Sequence, residues 1–367
     1  MFDGFYAGKR VLVTGHSGFK GGWLSLWLKK LGAHVTGLGL AAPTDPNLHE
    51  VIAPNAFDAE IECDIRDKGA LFSAIRDAQP EVIFHLAAQA IVRRSYVEPL
   101  ETFETNTLGT AYVLEAIRAS GQPCTLLVVT SDKCYENREW DFAYRENDAM
   151  GGHDVYSMSK GAAELVVQAW RWSFFASGEQ VRVATARAGN VIGGGDYAAD
   201  RIVPDCVRSL RAGQPITVRN PGAIRPWQHV LESVSGYLCL AARLATAGDS
   251  SALASGFNFG PGQTSQRPVR DLVETVLKIW PGSWHQPDGG KQVHEAGKLS
   301  LSIEKAVSLL QWLPVWDFDQ AVRETITWYH RRHVLNDTGM LGFSLAQIET
   351  YASTAVARGL TWTCETA

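Results

Sequence analysis

The fold of this chain is decided near its start by the run KRVLVTGHSGFKG, residues 9 to 21. Residues 9 to 14 are typical of a short buried strand, glycines follow at positions 15, 18 and 21, and an apolar-periodic helix is predicted over 23–31. A strand, a glycine turn and a helix in this order let the backbone approach a pyrophosphate, which the helix N-terminus then binds. The spacing Gly-x-x-Gly-x-x-Gly departs from the commoner Gly-x-Gly-x-x-Gly, so an ordinary strand-to-helix turn is the alternative. The predicted dinucleotide contacts here are Gly15, His16, Gly18, Phe19, Lys20 and Gly21.

Further along, apolar stretches alternate with helical ones. Strands are predicted over 34–38, 59–63, 81–86, 124–129 and 181–186, and helices over 67–78 and 108–119. This alternation predicts an α/β fold with a doubly wound parallel Rossmann sheet, whose ligands lie at the carboxyl ends of the strands. The residues that follow the third and fourth strands are therefore candidate cofactor contacts: Asp64, Ile65, Ala87, Ala88 and Gln89. Of these, Asp64 and Ile65 are expected to face the adenine.

Two domains are predicted from the length of the chain and from its glycine-rich run at 193–195. Residues 1–190 form the dinucleotide-binding Rossmann domain, to which a segment of about 228–260 returns. Residues 191–367 form a smaller C-terminal α/β domain that binds the substrate. A local helix is expected near the C-terminus, after residue 334.

The catalytic candidates follow the fifth strand and begin the next helix. Tyr156 and Lys160 are four residues apart on a predicted helix, so their side chains lie on one face. A nearby ammonium, together with an oxidised nicotinamide, favours the phenolate and makes the tyrosine a usable general base. Ser131 completes the set typical of a nicotinamide-dependent alcohol oxidant, and Asp132 and Lys133 add a second acid/base pair. The alternatives are a solvated helix face for the first pair and an exposed turn for the second.

Five motifs together identify a family resemblance: residues 14–21, 87–89, 106–110, 156–160 and 187–190. They resemble the extended short-chain dehydrogenase/reductase superfamily that acts on nucleotide-linked sugars, and the resemblance runs from about residue 9 to about residue 330. Within that superfamily, the runs at 15–23, 130–140, 144–147, 189–196 and 225–230 resemble the CDP-glucose 4,6-dehydratase family.

The resemblance implies a lyase that uses NAD catalytically in deoxysugar and polysaccharide biosynthesis. Tyr156 would take the proton from the sugar 4-hydroxyl, and Ser131 would hydrogen bond the same oxygen. The resulting 4-ketone acidifies C5, water leaves across C5–C6, and the hydrogen returns at C6 to give CDP-4-keto-6-deoxyglucose. Asp132 would be the acid for the departing hydroxyl. Lys133 stands where thymidine-linked dehydratases carry a glutamate base, and it acts either as base or as a cation that stabilises the enolate.

Cofactor and substrate specificity are less clear from the residues. No carboxylate stands between residues 36 and 42, where the second strand ends. Because such a carboxylate normally binds the ribose of NAD, the residues alone do not decide between NAD and NADP as the cofactor. The resemblance favours NAD. Arginine forks match diphosphate oxygens, while a surface salt bridge is the alternative for any single arginine. The predicted contacts with CDP-glucose or a related nucleotide sugar are Asn190, Arg201, Arg219 and Arg225.

Bulk properties narrow the class of protein further. The 367 residues carry a net charge of -5 at a pI near 6.1, which argues against nucleic-acid binding. No signal peptide or membrane span is predicted, and six cysteines without close pairing indicate reduced thiols and no metal site, so a cytoplasmic protein is expected. The resemblance implies a homodimer or a dimer of dimers, through the helices near Asn106 and Tyr156. The alternatives are a 4-epimerase, a dehydratase for another nucleotide sugar, and a dinucleotide sensor without activity.

Overall fold

The computed structural model describes residues 1–176, 180–287 and 298–363. Its strands are β1 (Arg10–Thr14), β2 (His34–Gly39), β3 (Ala59–Glu62), β4 (Val82–His85), β5 (Cys124–Val129), β6 (Val181–Arg187), β7 (Val191–Ile192), β8 (Ile216–Thr217), β9 (Ile224–Pro226), β10 (Gln228–His229), β11 (Gly256–Asn258), β12 (Gln266–Pro268) and β13 (Trp284–His285). Its helices are α1 (Phe19–Lys30), α2 (His49–Ala56), α3 (Lys68–Ala78), α4 (Val92–Val97), α5 (Pro99–Phe103), α6 (Gly109–Ser120), α7 (Val155–Phe174), α8 (Ile202–Arg211), α9 (Val230–Thr246), α10 (Val269–Ile279), α11 (Glu304–Leu310), α12 (Phe318–His333) and α13 (Met340–Ala357).

The central sheet has seven strands in the order β11-β6-β5-β4-β1-β2-β3, and every neighbouring pair is parallel. The doubly wound parallel sheet expected from the sequence is therefore confirmed. All six predicted strands are present, and each end lies within one residue of its predicted position. The seventh strand, β11, was not predicted, because three residues beginning with glycine carry too little pattern to mark a strand.

Both faces of the sheet are covered. One buried cluster joins β1 and β4 to α1 and α9, and includes Trp23 and Trp27, both fully buried. A second cluster packs the opposite face of the sheet against α3, α6 and α7. Helix α9 and strand β11 belong to the segment that was expected to return to the first domain, and both contact β6. The division into two domains itself stays a prediction.

The C-terminal part surrounds the ligand edge with short strand pairs and longer helices. Strand β10 pairs with β7, β12 with β9, and β13 with β8. The helix expected near the C-terminus is α13, and it packs into the large core rather than remaining local, because Tyr351 donates a hydrogen bond to the buried Glu232 of α9 at 2.7 Å. Cys364 lies outside the described residues. Among the described residues, none of the helices combines the length and the apolarity needed to cross a membrane.

Candidate active site

The glycine loop between β1 and α1 is closed by contacts that only glycine permits. Gly15 has a φ of +73°, and a side-chain carbon there would stand 2.7 Å from the amide nitrogen of Ala87. A side-chain carbon at Gly21 would stand 2.2 Å from the carbonyl oxygen of Gly15. No side chain caps the N-terminus of α1, whose N-cap is Gly18, so its first amides and its dipole face the loop. Phe19 turns away and packs against Gly193. The loop therefore fits a dinucleotide pyrophosphate.

His16 lies under the end of β2, where a cofactor ribose is expected. Its ring fills the place of the missing side chain at Gly37, and its buried Nδ1 lies 3.5 Å from where a side-chain carbon at Gly39 would stand. Burial lowers the pKa of His16. Sequence reasoning found no acid on β2, but Glu60 on the neighbouring β3 contacts the Nε2 of His16 at 2.9 Å. A carboxylate is thus present near this edge, supplied by the next strand.

Glu60 also contacts His49 of α2, so three potential ligands lie together. The Nε2 atoms of His16 and His49 lie 2.9 and 2.5 Å from the same oxygen of Glu60, and the ligand atoms of the three residues lie within 4.8 Å of one another. No metal was expected from the sequence, and the geometry here is that of two imidazoles hydrogen bonding to one carboxylate.

The residues after β3 and β4 lie at the same edge, in different environments. Asp64 is engaged by Arg66, whose Nη2 donates to it at 2.6 Å, and Ile65 is buried against Gly109 of α6. Thr14 Oγ1 accepts hydrogen bonds from the amides of Leu86 and Ala87 at 3.2 Å each. Ala88 follows in the same turn.

Gln89 is buried, and hydrogen bonds inside the protein hold its polar groups. Its Nε2 donates to Thr102 at 2.9 Å, and its amide nitrogen donates to Asn106 Oδ1 at 2.8 Å. Asn106 Nδ2 in turn donates to Ser159 of α7 at 2.9 Å. Gln89 therefore links the edge of the sheet to the helix that carries Tyr156.

Ser131, Tyr156 and Lys160 are all buried. Ser131 follows β5 and lies close enough to Tyr156 to act on its pKa, and Tyr156 lies in the first turn of α7 behind the N-cap Asp154. Burial raises the pKa of Tyr156 to about 12, against the hydrogen bond from Ser131. The sequence predicts that Lys160 favours the phenolate, but in the protein itself burial dominates and the pKa of Tyr156 is raised. Burial also lowers the pKa of Lys160 to about 8.

Asp132 is buried beside this pocket and faces a cleft. Ser131 Oγ donates to its Oδ1 at 2.9 Å, and Asn190 Nδ2 donates to its Oδ2 at 3.3 Å. Gly189 is required next to it, because a side-chain carbon there would stand 1.9 Å from Asp132 Oδ2. The cleft is lined by Asp132, Gly189, Gln228, Gln266 and Ser300. An exposed turn, the alternative for this residue, does not describe a carboxylate that is 3% exposed.

Lys133 is half-buried in the turn that follows. Its backbone amide donates to Ser131 Oγ at 3.2 Å. Glu136, the other acid close in sequence, is exposed and pairs with Arg138 at 3.0 Å, away from the cleft residues. Of these two residues, Lys133 is thus the one that its backbone ties to Ser131, next to Asp132.

The three arginines assigned to the substrate differ in position. Arg201 precedes α8 and pairs with the buried Asp196 at 2.8 Å, close enough to Tyr156 for the two groups to interact electrostatically. Arg219 contacts the exposed Asp200 at 3.3 Å. Arg225, on β9, is half-buried and donates to the carbonyl of Ile224 at 3.0 Å. The structure thus brings Arg201 to the catalytic pocket and leaves Arg219 in an exposed ion pair.

A buried ion pair behind the pocket was missed by sequence reasoning. Glu164 of α7 accepts hydrogen bonds from Arg187 at 2.9 Å, from Thr185 at 2.6 Å and from Thr130 at 2.5 Å. Arg187 also donates to Tyr135 Oη at 2.6 Å. Burial alone would raise the pKa of Glu164, but Arg187 and the two hydroxyls hold it below its usual value. The available signal was the spacing of Tyr156, Lys160 and Glu164, which puts three polar residues on one buried helix face.

Replacing Arg187 with methionine is expected to lower the free energy of unfolding by about 3–5 kcal/mol, because it leaves the buried Glu164 charge uncompensated. The matched control is Arg76→Met, whose pair with Asp77 is exposed and whose loss should leave the free energy of unfolding nearly unchanged. Urea unfolding followed by circular dichroism measures both variants. Equal unfolding midpoints for the two variants would contradict a structural role for this pair.

Residues 11–253 match the NAD dependent epimerase/dehydratase family. The chain is 46% identical to the CDP-glucose 4,6-dehydratase of Salmonella typhimurium, over 95% of this chain and 98% of that protein. It is 24% identical to a dTDP-glucose 4,6-dehydratase of Xanthomonas campestris, over 87% of this chain and 92% of that protein.

Solved structures show the same fold. A dTDP-glucose 4,6-dehydratase of Streptomyces venezuelae, with NAD and TYD bound, superposes with a TM-score of 0.75 at 23% identity, over 89% of this chain and 98% of that one. A UDP-glucose 4-epimerase of Thermotoga maritima, with UDP-glucose, gives a TM-score of 0.76 at 22% identity, over 88% and 99%. Together with the sequence matches, these findings confirm the resemblance drawn from the motifs: the chain belongs to the NAD dependent epimerase/dehydratase family.

Proposed function

We propose that this chain is a CDP-glucose 4,6-dehydratase, a lyase that removes one water from CDP-glucose and yields CDP-4-keto-6-deoxyglucose for deoxysugar and polysaccharide biosynthesis. The observation that carries the proposal is the 46% identity to the Salmonella typhimurium enzyme across almost the whole chain. It is supported by a pocket that joins an alcohol-oxidation set, Ser131, Tyr156 and Lys160, to the buried carboxylate of Asp132.

The glycine loop, the uncapped N-terminus of α1 and the buried Nδ1 of His16 fit NAD as the cofactor. NAD, when bound, supplies the group that accepts hydrogen from C4 of the sugar and returns it at C6. Gly15, Gly18 and Gly21 would hold its pyrophosphate. The edge residues Asp64, Ile65, Ala87, Ala88 and Gln89 would line its adenine and its second ribose.

Tyr156 and Ser131 would carry out the proton transfer that accompanies oxidation at C4. The phenol oxygen takes the proton of the 4-hydroxyl, and the Ser131 hydroxyl, which lies near Tyr156 and donates to Asp132 in the structure, would turn to donate to the same sugar oxygen. Lys160 lies one helical turn further along α7 and favours the phenolate through its positive charge. Because all three groups are buried, water competes little for the forming ketone.

Asp132 and Lys133 would catalyse the elimination of water across C5–C6. A ketone at C4 makes the C5 proton acidic, and the departing 6-hydroxyl needs a proton. Asp132 faces the cleft and is held by Ser131 and Asn190, so it is positioned to protonate that hydroxyl. Lys133 serves either as the base at C5 or as the cation that stabilises the enolate. Asn190, Arg201, Arg219 and Arg225 would contact the nucleotide sugar.

Replacing Lys133 with alanine separates its two possible roles. If Lys133 is the base, we expect exchange of the C5 proton with solvent deuterium to fall by about 10²–10⁴-fold, while oxidation at C4 continues. The exchange is followed by NMR of the nucleotide sugar in D₂O. Full C5 exchange in this variant would exclude the base role and leave the electrostatic one.

The substrate is tested with a panel of CDP-, dTDP-, UDP- and GDP-glucose, each incubated with the chain and NAD. We expect loss of one water from CDP-glucose above all, without net accumulation of reduced cofactor, as judged by mass spectrometry and absorbance. Conversion of UDP-glucose without loss of water would indicate a 4-epimerase. Dehydration of another nucleotide sugar in preference to CDP-glucose would show that the chain is specific for a different nucleobase.

We also propose a homodimer in the cytoplasm, with a pairing of dimers as a further possibility. Helix α7 exposes Met158, Leu165 and Trp172 at intervals of seven residues, and the neighbouring α5 exposes Leu100 and Phe103. A continuous apolar face of this kind is typical of an interface. The five described cysteines are free and buried, as in a reducing compartment.

The interface is tested by replacing Leu165 with glutamate. We expect the native chain to sediment as a dimer or larger species and the variant to shift toward the monomer, because the new charge would be buried between subunits. Leu309→Glu on α11 is the control, since this leucine is exposed elsewhere on the surface. A native monomer, or an unshifted Leu165→Glu variant, would contradict the proposal.

A further inference from the structure

Two histidines and a glutamate from three separate elements meet beside the glycine loop. His16 lies in the loop after β1, His49 begins α2 and Glu60 lies on β3, and we call these three residues the histidine cluster. The Nε2 atoms of both imidazoles contact the same carboxylate oxygen, at 2.9 and 2.5 Å. In the part of the chain that the structure describes, this is the one group of three histidine, cysteine or acidic side chains whose ligand atoms are close enough together to share an ion.

The two imidazoles are fixed by packing on the inner side of the cluster. A side-chain carbon at Gly37 would stand 2.4 Å from Cδ2 of His16, so this ring lies directly on β2. Phe57, just after α2, contacts both imidazoles, with ring centroids 5.1 Å from His16 and 5.7 Å from His49. The side chain of His16 is 6% exposed, that of His49 26% and that of Glu60 39%. The histidine cluster is therefore packed on one side and open to solvent on the other, where an ion can enter.

Both imidazoles have the hydrogen-bond partner that a metal ligand needs. Nε2 of a neutral histidine is a ligand only when Nδ1 carries the hydrogen, and metal-bound histidines usually donate that hydrogen to a carbonyl, a carboxylate or water. The backbone of Leu38 is a hydrogen-bond partner of the His16 ring in addition to Glu60, and it favours a hydrogen on that ring. His49 is exposed enough for water to serve in this way. Ligation through Nε2 is therefore open to both rings.

The donor atoms indicate which ion the cluster suits. Two imidazole nitrogens and one carboxylate oxygen are typical protein ligands of Zn²⁺, whereas Mg²⁺ and Ca²⁺ prefer oxygen ligands alone. In a tetrahedral site with bonds of about 2.0–2.2 Å, neighbouring ligand atoms stand about 3.4 Å apart. The two contacts in the cluster are shorter than this, because a hydrogen rather than an ion lies between the atoms. Side-chain movements of about 1 Å or less would admit the ion.

We propose that the histidine cluster binds one Zn²⁺ ion, with water in the fourth position, and that this ion ties the glycine loop to α2 and β3. The site is separate from the proton transfers of the proposed mechanism, since none of the three residues takes part in them. The folded chain holds the three ligands together and the unfolded chain does not. Bound Zn²⁺ therefore stabilises the fold, and this stabilisation increases with the concentration of the free ion.

The test is Zn²⁺ binding to the full chain, without an affinity tag and freed of cofactor, measured by isothermal titration calorimetry. We expect one ion per native chain. In His49→Gln the affinity should fall by at least about 100-fold, since the loss of a ligand exceeds the effect of about 10–100-fold for the loss of a partner that orients a ligand. His285→Gln is the matched control, because it removes an exposed imidazole on β13 and should bind Zn²⁺ as the native chain does.

Two further measurements report on the site itself. Co²⁺ in place of Zn²⁺ should give the visible absorption of a four-coordinate ion in the native chain, and His49→Gln should lose it. The unfolding temperature should rise with Zn²⁺ concentration for the native chain and for His285→Gln, and stay constant for His49→Gln. Glu60→Gln removes a different ligand and repeats both measurements should His49→Gln fail to fold.

Equal Zn²⁺ affinity in the native chain and in His49→Gln would overturn the proposal, because the ion would then bind elsewhere. Absence of Zn²⁺ binding to the native chain, or tighter binding of Mg²⁺ than of Zn²⁺, would overturn it as well. None of these measurements uses a nucleotide sugar. Their outcome is therefore independent of the proposed function, whose failure would be seen as the absence of dehydration by the native chain.

Discussion

Replacing Tyr156 with phenylalanine is expected to reduce dehydration of CDP-glucose by at least about 10²–10⁴-fold, the contribution of a positioned general base. Phenylalanine keeps the ring in its buried place and removes only the phenol oxygen, which lies near Ser131. Because the 4-hydroxyl proton then has no acceptor, the first step fails, and neither reduced cofactor nor 4-keto sugar should accumulate. Single-turnover absorbance and mass spectrometry of the sugar measure both quantities.

Tyr96→Phe is the matched control, since it removes a phenol oxygen from an exposed position on α4. Its rate should equal that of the native chain. A Tyr156→Phe variant that dehydrates at a comparable rate would show that another group takes the proton, and the assignment of the pocket would be wrong.

Replacing Asp132 with asparagine is expected to separate oxidation from elimination. The amide is nearly isosteric and can still accept the hydrogen bond from Ser131, so the pocket is preserved, but it cannot donate the proton that the 6-hydroxyl needs in order to leave. We expect C4 oxidation to continue and loss of water to fall by about 10²–10⁴-fold. The 4-keto sugar that still carries its 6-hydroxyl should then be detectable by mass spectrometry.

Asp141→Asn is the control for this second variant, because Asp141 is an exposed carboxylate in the loop after β5, paired with Lys298 at 2.7 Å. It should dehydrate at the native rate. Native dehydration by Asp132→Asn itself would remove Asp132 from the acid role, and loss of C4 oxidation in the same variant would indicate a structural one.

The sheet was predictable because its signals are local. Most of the predicted strands are apolar stretches whose limits follow from the residues that flank them, and the glycine loop encodes its own tight turn. The family resemblance likewise rested on short runs, and it was confirmed by the family match over 11–253. By contrast, β11 is defined only by its pairing with β6, from which it is separated by α9. Such pairing produces no recognisable sequence pattern in the three residues of β11.

The site was predictable only in part for the same physical reason. Tyr156 and Lys160 share one helix and Ser131 follows a central strand, and all three are buried, so the motif could be read from the sequence alone. The contact of Glu60 with His16 joins a strand to the glycine loop, and the pair of Glu164 with Arg187 joins a helix to a strand. Long-range partners of this kind depend on the completed fold.

The pKa of Tyr156 was the expectation that the structure changed most. Sequence reasoning considered the charge of Lys160 four residues away and left out desolvation, which depends on how completely the pocket closes. Because Tyr156 is 7% exposed, burial dominates and the pKa is raised. The positive charge needed to favour the phenolate therefore has to come from the oxidised nicotinamide as well as from Lys160.

The central claim, that hydrogen leaves C4 and returns to C6 of the same sugar, is tested most directly with CDP-glucose deuterated at C4. The chain and NAD are incubated with this substrate, and the product is examined by mass spectrometry and NMR. The account predicts a 4-keto-6-deoxy sugar that has lost one water and carries the deuterium on C6. Deuterium that remains on C4, or that is washed out into solvent, would contradict it.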